Sequence, residues 1–480
     1  MKKNKFSICF IFCISLFFLN IPSHLRAWNF LAGSGETGSG GSLGSNNSLS
    51  PATPLGLSPS PEKNHTLEEN TFIINSTGNS KVSEKNLGFN PSNNTRIVKT
   101  QGLIINTWSN LYFSNQNNIA PIKFNKELNF SKAFKLSISS SYRKYQLIPN
   151  IIIVDDLAYS LNAQNQLIIV NLSTKKIVEK ISFTDFKGQK TSGLALDGDY
   201  LYLTFESGDV LSFSLISKTV LWQNNIGFAI NSVPVIDENK LFFTSNNTIY
   251  ALDIYTGKIL WKFAGSKNGV SLKQLYSLTV YSGYLMVGLS SSDFLVLRKE
   301  NGTLVWKENI LGMNLFSVTA NPLVGDIKSP IIGIGQNALV ISNNKISYFN
   351  IVSKSVIWQN NTTGSNNAPL IFNDQIIITD VYNNLISLNI TDGKQKWQTP
   401  LVSNKNNKSK IFWFTPIIIN QEIVVNNSIG EIKIINIENG TIKADAELYK
   451  ADISAISNFP AFTSNYVVYL STNGDFYIYN

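Results

Sequence analysis

Few residues in this sequence could carry out acid–base or metal chemistry. The chain has 480 residues but only two histidines, His24 and His65, and two cysteines, Cys9 and Cys13, all near its N-terminus. The remainder of the chain therefore lacks an imidazole base, a thiolate nucleophile and the usual ligands of zinc. Carboxylates remain, so a glycosidase-like pair of acids is one alternative.

The carboxylates that stand out lie in predicted turns. They are Asp237, Asp253, Asp392 and Glu438. A carboxylate in a turn accepts hydrogen bonds from nearby backbone N–H groups, which explains these residues without catalysis. We therefore expect no catalytic residue and no metal site.

A glycine motif near the N-terminus imitates a nucleotide site. Gly33, Gly35 and Gly38 spell GSGETG, a formal match to the dinucleotide fingerprint GxGxxG. That fingerprint binds a pyrophosphate only when a strand precedes it and a helix follows. Here more glycine and serine follow, so we expect no cofactor at this motif.

The N-terminus has the three-part form of a secretory signal peptide. Basic residues precede the apolar run from Phe6 to Leu19, and the small residue Ala27 ends the segment. The pattern predicts a signal peptide over residues 1–27, with a permanent membrane anchor as the alternative. Cys13 follows Phe12 rather than the small residue of a lipobox, so we do not expect lipid attachment there.

The net charge gives little support for nucleic-acid binding. The formal charge is +9, from 40 basic and 31 acidic residues, and removal of the four basic residues of the signal peptide lowers it to +5. The sequence also has no dense stripe of Lys and Arg interleaved with aromatic residues, so no nucleic-acid partner is expected.

Residues 28–122 form a segment of different composition. It is rich in Gly, Ser, Asn and Pro, which predicts a flexible linker because too little apolar surface is available to offset the entropy of ordering. A weak apolar patch runs from Ile97 to Phe113. This patch could add a strand to the following domain or contact a partner, and the sequence does not decide between the two.

From Lys123 to Asn480 the sequence repeats itself. Each unit contains two short apolar runs followed by a phrase such as IYALDIYTGKILW, which supplies two more strands, with Asn, Asp and Gly at the turns. Four short strands in each repeat are typical of a β-propeller blade. The tryptophans that end the phrases are Trp222, Trp261, Trp306, Trp358 and Trp397, and Glu179 and Ala444 occupy the same place in two degenerate copies.

The phrase has a structural explanation. Asp253 ends the third strand and Thr256 follows, so both side chains can accept hydrogen bonds from the turn. Gly257 supplies a positive φ that β-branched residues resist. Trp261 then lies on the outermost strand, where its flat face can cover the edge between adjacent blades. We interpret these residues as a structural docking motif.

The repeats predict an all-β fold, an eight-bladed β-propeller of four-stranded antiparallel blades. Seven phrases are followed by a final fragment, FPAFTSNYVVYLSTNGDFYIYN, which lacks its closing strand. The segment from Phe124 to Ser139 has the right character to supply that strand and to join the two ends of the ring.

The phrase resembles the AxDxxTGxxxW docking motif shared by two families of one fold. The eight-bladed quinoprotein dehydrogenases hold pyrroloquinoline quinone (PQQ) and calcium at the propeller centre. The BamB family of the outer-membrane β-barrel assembly machinery keeps these PQQ-like repeats without the cofactor. The size of the repeat block and the segment FTPIIINQEIVVNNSIGEIKIINIENGTI are more similar to BamB.

The resemblance to BamB implies partner-binding residues. Members of that family bind the POTRA domains of the protein BamA through loops on one face. One such loop has a Leu-x-Leu-Arg pattern after a docking tryptophan, and Val270, Leu272 and Lys273 occupy the matching positions here. A second family loop has an Asp shortly before a Pro, which Asp326 matches.

The resemblance thus implies a non-catalytic periplasmic scaffold without cofactor, associated with the outer membrane through its partners. Two alternatives stay open at this point. One is a periplasmic enzyme dependent on PQQ and calcium, although the region after the signal peptide has no cysteine for the vicinal disulfide common in such enzymes. The other is a propeller that binds another envelope protein or a polysaccharide.

Overall fold

Each repeat folds into an antiparallel sheet because its short apolar runs favour β-strands and turn-forming residues separate them. Successive side chains of each strand point to opposite faces of the sheet. The computed structural model describes residues 102–125, 130, 133–138, 150–186, 189–230, 232–265, 278–310, 327–342, 345–404, 411–447 and 459–480. Within these residues the strands assemble into eight sheets, numbered here as blades 1–8 in chain order.

Two strands precede the repeats, β1 (Thr107–Trp108) and β2 (Phe134–Ser137). Blades 1 and 2 contain β3 (Ile152–Val154), β4 (Leu157–Leu161), β5 (Gln166–Asn171), β6 (Lys176–Ser182), β7 (Thr191–Asp197), β8 (Tyr200–Phe205), β9 (Asp209–Ser214) and β10 (Thr219–Asn225). Blades 3 and 4 contain β11 (Val235–Asp237), β12 (Lys240–Ser245), β13 (Thr248–Asp253), β14 (Ile259–Ala264), β15 (Thr279–Tyr281), β16 (Tyr284–Gly288), β17 (Asp293–Arg298) and β18 (Leu304–Asn309).

Blades 5 and 6 contain β19 (Ile332–Ile334), β20 (Asn337–Ile341), β21 (Ile346–Asn350), β22 (Ser355–Asn360), β23 (Leu370–Phe372), β24 (Gln375–Thr379), β25 (Asn384–Asn389) and β26 (Gln395–Pro400). Blades 7 and 8 contain β27 (Ile417–Ile419), β28 (Glu422–Asn426), β29 (Glu431–Asn436), β30 (Ile442–Glu447), β31 (Ala461–Phe462), β32 (Val467–Leu470) and β33 (Asp475–Tyr479). A 3₁₀ turn, Thr184–Phe186, connects blades 1 and 2.

The blades form a ring with the first strand of each blade innermost. Neighbouring first strands contact each other, as β7 does with β11, and β31 of blade 8 contacts β3 of blade 1. The fourth strands lie outermost, and alternate side chains of β14 are exposed. This arrangement confirms the predicted eight-bladed propeller.

Blade 8 is completed by a strand from the other end of the chain. β2 pairs with β33 in antiparallel register, with Phe134 opposite Ile478 and Ser137 opposite Asp475. The predicted closing segment, Phe124 to Ser139, therefore contains the outer strand of blade 8. The Asp475 carboxylate strengthens this closure because it accepts a 2.5 Å hydrogen bond from the Ser137 hydroxyl and pairs with Lys135 at 3.1 Å.

The core lies between the blades. The strand β12 is buried along its whole length, and its alternate side chains face opposite neighbours. Phe242 packs into the cluster shared with blade 4, whereas Phe243 packs into the cluster shared with blade 2. Each sheet is therefore covered on both faces, which explains the nearly continuous apolar runs of its central strands.

The ring has two faces defined by their turns. On the connector face, the turn between the second and third strands of a blade lies beside the end of its fourth strand. In blade 3, for example, the Gly265 amide donates a hydrogen bond to the Asn247 carbonyl. The opposite turn face carries the turns between third and fourth strands, such as Asp253 to Lys258. Across the described residues, no helix has the length and apolar character needed to cross a membrane.

The ring also includes residues that precede the predicted propeller boundary at Lys123. β1 pairs with β3 and adds a fifth strand to the sheet of blade 1. Trp108, Ile119 and Ile122 are almost completely buried. β1 lies within the apolar patch from Ile97 to Phe113, so the structure supports the alternative in which this patch adds a strand to the propeller. The sequence alone did not decide this, because the partners of these residues lie far away in the chain.

Candidate functional site

The predicted partner-binding residues belong to connections between blades. Val270, Leu272 and Lys273 lie between β14 and β15, and Asp326 lies between β18 and β19; all four are outside the described residues. Their placement therefore stays a prediction. The flanking residues show that both connections start and end on the connector face, one before and one after blade 4.

The ends of these two connections are held firmly by the ring. The Gly265 amide donates a hydrogen bond to the Asn247 carbonyl at 2.9 Å, and the Ile310 amide donates one to the Ser292 carbonyl at 3.0 Å. Leu278 and Ile327 are buried. A Cβ at Gly288 would lie 2.4 Å from the Ile327 side chain, so this glycine leaves the space into which Ile327 packs.

The connector face carries an exposed apolar patch at blades 6 and 7, which sequence analysis missed. Tyr382 and Val402 are 73% and 68% exposed and line a shallow pocket with Trp413. Val381 and Phe412, which are also exposed, adjoin them in the sequence. We call Val381, Tyr382, Val402 and Phe412 the blade 6–7 patch. Large apolar residues in predicted turns were the available signal.

The docking tryptophans cover glycines of the following blade. The Trp261 indole Nε1 donates to the Lys299 carbonyl at 3.2 Å, and a Cβ at Gly302 would lie 2.5 Å from the indole ring. The same pairing recurs between other blades, with Trp222 on Gly257, Trp358 on Gly393 and Trp397 on Gly440. The glycine therefore has two roles, since it adopts a positive φ and leaves room for the indole.

The turn before three of the four docking glycines is capped by a side chain, that of Asp253, Asn389 or Asn436. The Asp253 carboxylate accepts hydrogen bonds from the backbone N–H of Tyr255 and of Thr256 at 3.1 and 2.8 Å, and from the Thr256 hydroxyl at 2.8 Å. Asn389 makes the equivalent contacts in blade 6. These bonds account for the Asp253 carboxylate without a catalytic role.

Among the described residues, four of the eight blade interfaces lack the tryptophan–glycine pairing, and two of these show what takes its place. Between blades 1 and 2, Glu179 occupies the tryptophan position and pairs with Lys218, which has a φ of 58° and stands at the position of the docking glycine. Between blades 4 and 5, Lys354 stands at the glycine position with a φ of 56°. Trp306 packs edge-on against Phe294 and Phe349 instead of against a glycine.

A charged cluster joins blades 3 and 4 on the turn face. The Lys299 ammonium lies 2.6 Å from the Asp237 carboxylate and 2.8 Å from that of Glu238. Burial opposes the charge of Lys299, but the hydrogen bonds to Asp237 and Glu238 outweigh it and raise the pKa of Lys299. The hydrogen bond from Lys299 lowers the pKa of Glu238. We interpret the cluster as structural, because both carboxylates have the Lys299 ammonium as a partner.

The described residues offer no grouping suited to hold a metal ion. Nowhere among them do three or more His, Cys, Asp or Glu side chains come close enough to bind one. The four turn carboxylates singled out in the sequence lie in different turns, and Asp237, Asp253 and Asp392 each have a cation or a backbone donor beside them.

Comparisons with known proteins give a family for this ring. The family model described as "Outer membrane protein assembly factor BamB" matches residues 170–399 and 326–480. Among the relatives, the outer membrane protein assembly factor BamB of Moranella endobia is 21% identical over 289 residues, which cover 60% of this chain and 71% of the relative.

Solved structures share the fold with this chain. The crystal structure of BamB from Moraxella catarrhalis superposes with a TM-score of 0.59 at 16% identity, covering 72% of this chain and 100% of that protein. The quinohemoprotein alcohol dehydrogenase of Comamonas testosteroni gives a TM-score of 0.57 at 10% identity, covering 78% of this chain and 80% of that protein. At these identities the superpositions show the fold alone, and the family assignment rests on the matched family model.

Proposed function

Because the chain belongs to the BamB family of outer membrane protein assembly factors, we propose that it is a non-catalytic scaffold that binds the POTRA domains of a BamA-like protein. In this role the ring assists the insertion of β-barrel proteins into the outer membrane. The rigid blades hold the connector face in a fixed shape, and loops on that face make the contacts. The proposal includes a periplasmic location, reached through cleavage of the predicted signal peptide, and no cofactor.

The observation that carries the proposal is the character of the connector face. It presents the blade 6–7 patch, with side chains as exposed as Tyr382 and Val402. Exposed apolar groups beside polar surroundings are typical of protein-binding surfaces. The sequence adds Leu272 and Lys273 to a connection that starts and ends on the same face, an apolar residue beside a cation that suits a partly desolvated contact.

The test is binding of residues 28–480 to the POTRA domains of the BamA protein from the same cell. We expect the double variant Leu272→Glu, Lys273→Glu to lose most of this binding, because it replaces an apolar contact and a cation by two negative charges. Isothermal calorimetry measures the affinity, and the melting temperature of the variant should equal that of the parent.

A matched control uses an apolar side chain of the opposite face. Tyr255 on the turn face is 70% exposed, and Tyr255→Glu should leave the affinity unchanged. Absence of binding by the parent protein would refute the proposed partner. Equal losses in both variants would instead refute the assignment of the contact to the connector face.

The quinoprotein alternative has its own test. Titration of the same protein with PQQ and calcium, followed by absorbance and melting temperature, should give no stoichiometric complex. A tight complex with a raised melting temperature would contradict the scaffold role, since a ligand that binds the native state stabilises it.

A further inference from the structure

The residues that precede the repeats follow an unusual path through the ring. In a ring of eight blades, blades 3 and 4 lie opposite blades 7 and 8. Residues 102–125 contact both of these sides, as well as blade 1. A segment that reaches opposite sides of a ring through its innermost strands must cross the channel that those strands enclose.

On one side, the segment is bonded to blades 7, 8 and 1. The Ile122 amide donates to the Ile418 carbonyl at 2.8 Å, and the Asn420 amide donates to the Ile122 carbonyl at 3.0 Å. Ile105 exchanges two bonds with Ser464 of blade 8, from its amide to the Ser464 hydroxyl at 2.8 Å and from the Ser464 amide to its carbonyl at 2.7 Å. β1 pairs with the inner edge of β3.

On the other side, the segment is bonded to blades 3 and 4. The Val280 amide of β15 donates to the Asn115 carbonyl at 2.9 Å, and the Asn115 amide side chain donates to Asp237 at 3.2 Å. Asn117 is fully buried and donates to the Leu278 carbonyl at 2.8 Å and the Thr279 hydroxyl at 3.0 Å.

Apolar side chains of the segment fill the space between these contacts. Trp108 is 1% exposed. Its ring centroid lies 5.9 Å from that of Phe459 and 5.7 Å from that of Phe462 of blade 8. Ile119 and Ile122 are fully buried in the same cluster. Burial raises the pKa of Tyr112, which packs against this cluster, to about 12.

We propose that the channel of this propeller is a peptide-binding site whose ligand is the chain's own N-terminal segment, residues 102–125, which acts as a plug. The recognition is that of an added strand, since backbone groups of β3, β15 and β27 pair with the backbone of the plug. The channel supplies a buried aromatic pocket for Trp108 and hydrogen-bond acceptors for Asn117. Because the plug occupies the channel, the axis of the ring is filled by the chain itself and not by a small molecule.

The proposal requires that non-covalent contacts hold the plug. A site-specific protease sequence inserted after Lys126 in the full chain allows the N-terminal part to be cut from the ring. We expect the cut N-terminal fragment to elute together with the ring in size-exclusion chromatography. Separation of the fragment from the parent ring under native conditions would overturn the proposal.

Variants of the plug show which contacts hold it. The double variant Trp108→Ala, Asn117→Ala should release the fragment after cutting, because it removes the buried ring and both side-chain bonds to blade 4. Ile104→Ala is the matched control in the same segment, since Ile104 is 66% exposed and its truncation should not release the fragment. Retention of the doubly substituted fragment as firmly as the parent one would overturn the proposal.

Hydrogen exchange on the uncut chain gives a second readout that does not depend on cutting. The Val280 and Asn420 amides, both donors to the plug, should be protected in the parent and in Ile104→Ala. In the double variant they should exchange faster, while amides inside blade 3 such as Tyr250 stay protected. Fast exchange of Val280 and Asn420 in the parent would contradict a docked plug.

Discussion

At the scale of single residues, the docking glycines combine two constraints in one position. Gly302 has a φ of 70° and lies under the Trp261 ring, so any side chain there is strained by the backbone and obstructed by the indole. Gly283 in the same blade has a φ of 81° but open space around its missing Cβ. The two glycines therefore separate the cost of conformation from the cost of packing.

We predict that Gly302→Ala destabilises the ring more than Gly283→Ala. The positive φ costs an alanine about 1–2 kcal/mol at either position. Displacement of Trp261 adds about 1–3 kcal/mol at Gly302 alone, in the range of overpacked sites. The difference is measured by urea unfolding of both variants. Equal losses of unfolding free energy would show that the Trp261 ring can move aside at little cost and that its contact with Gly302 does not stabilise the interface.

At the scale of strands and blades, the ring uses more than one kind of interface. Four interfaces join a tryptophan to a glycine, whereas blades 1 and 2 join through Glu179 and Lys218. The two substitutions occur together, since the space left by the smaller Glu179 side chain is where Lys218 reaches. This interface indicates that the ion pair replaces the aromatic contact.

We predict that the tryptophan–glycine pair can be installed between blades 1 and 2 and that its two members act cooperatively there. In Glu179→Trp alone, the indole meets the Lys218 side chain, and in Lys218→Gly alone, Glu179 loses its partner. The combination Glu179→Trp, Lys218→Gly should be more stable than the sum of the single variants, by about 1–3 kcal/mol of coupling. A double-mutant cycle of unfolding free energies measures this. Additive effects would contradict the interpretation.

The charged cluster between blades 3 and 4 predicts a dependence on pH. Lys299→Met should destabilise the protein by about 3 kcal/mol at neutral pH, because it leaves the mostly buried Asp237 carboxylate without its cation. The lowered pKa of Glu238 means that its contribution is present above its unfolded pKa and is lost as the pH falls through its folded pKa. The raised pKa of Lys299 keeps its contribution intact until strongly alkaline pH.

The deficit of Lys299→Met relative to the parent should therefore be largest near neutral pH and should shrink in acid. Chemical unfolding across the acidic range measures this. Lys394 provides the control, since its side chain is 83% exposed beside Asp392, and Lys394→Met should show no measurable change. A deficit that is constant with pH would mean that packing of the lysine stem, not its charge, supplies the stability.

At the scale of the whole molecule, the sequence predicted the ring from its local patterns. Alternating strands, capped turns and the unfilled outer strand of blade 8 are all visible in short windows. The closing strand does come from the predicted segment, in which Phe134 pairs with Ile478. The sequence indicated an added strand within Ile97 to Phe113 only as one of two alternatives, because the contacts of the plug are not local. The bond between Ile105 and Ser464 joins residues 359 positions apart, and no periodicity in the sequence marks it.

The blade 6–7 patch could not be predicted either, because exposure of Tyr382 or Val402 depends on which neighbours the ring brings near. The partner-binding residues Leu272 and Lys273 came from a resemblance rather than from physical patterns. They stay predictions of the sequence, to be tested by binding.

N-terminal truncations of the chain show where the stably folded unit begins. A chain that starts at Gly102 should have the same melting temperature as one that starts at residue 28, because residues 28–101 have the composition of a linker. A chain that starts at residue 126 should melt several degrees lower, since it lacks Trp108, Ile119 and Ile122 and exposes their partners. Thermal scans of the three chains decide this, and equal melting of all three would place the boundary after the plug.

The plug and the closing strand also determine the order in which contacts can form as the chain is synthesised. The chain is synthesised from its N-terminus, so Trp108 and Phe134 emerge before any blade exists, whereas their partners Phe462 and Ile478 emerge only after seven blades have been made. Neither contact can form until the strands of blade 8 have been made. An unfinished chain must therefore carry unprotected aromatic residues throughout its growth, and the last blade converts an open array into a closed ring in a single late step.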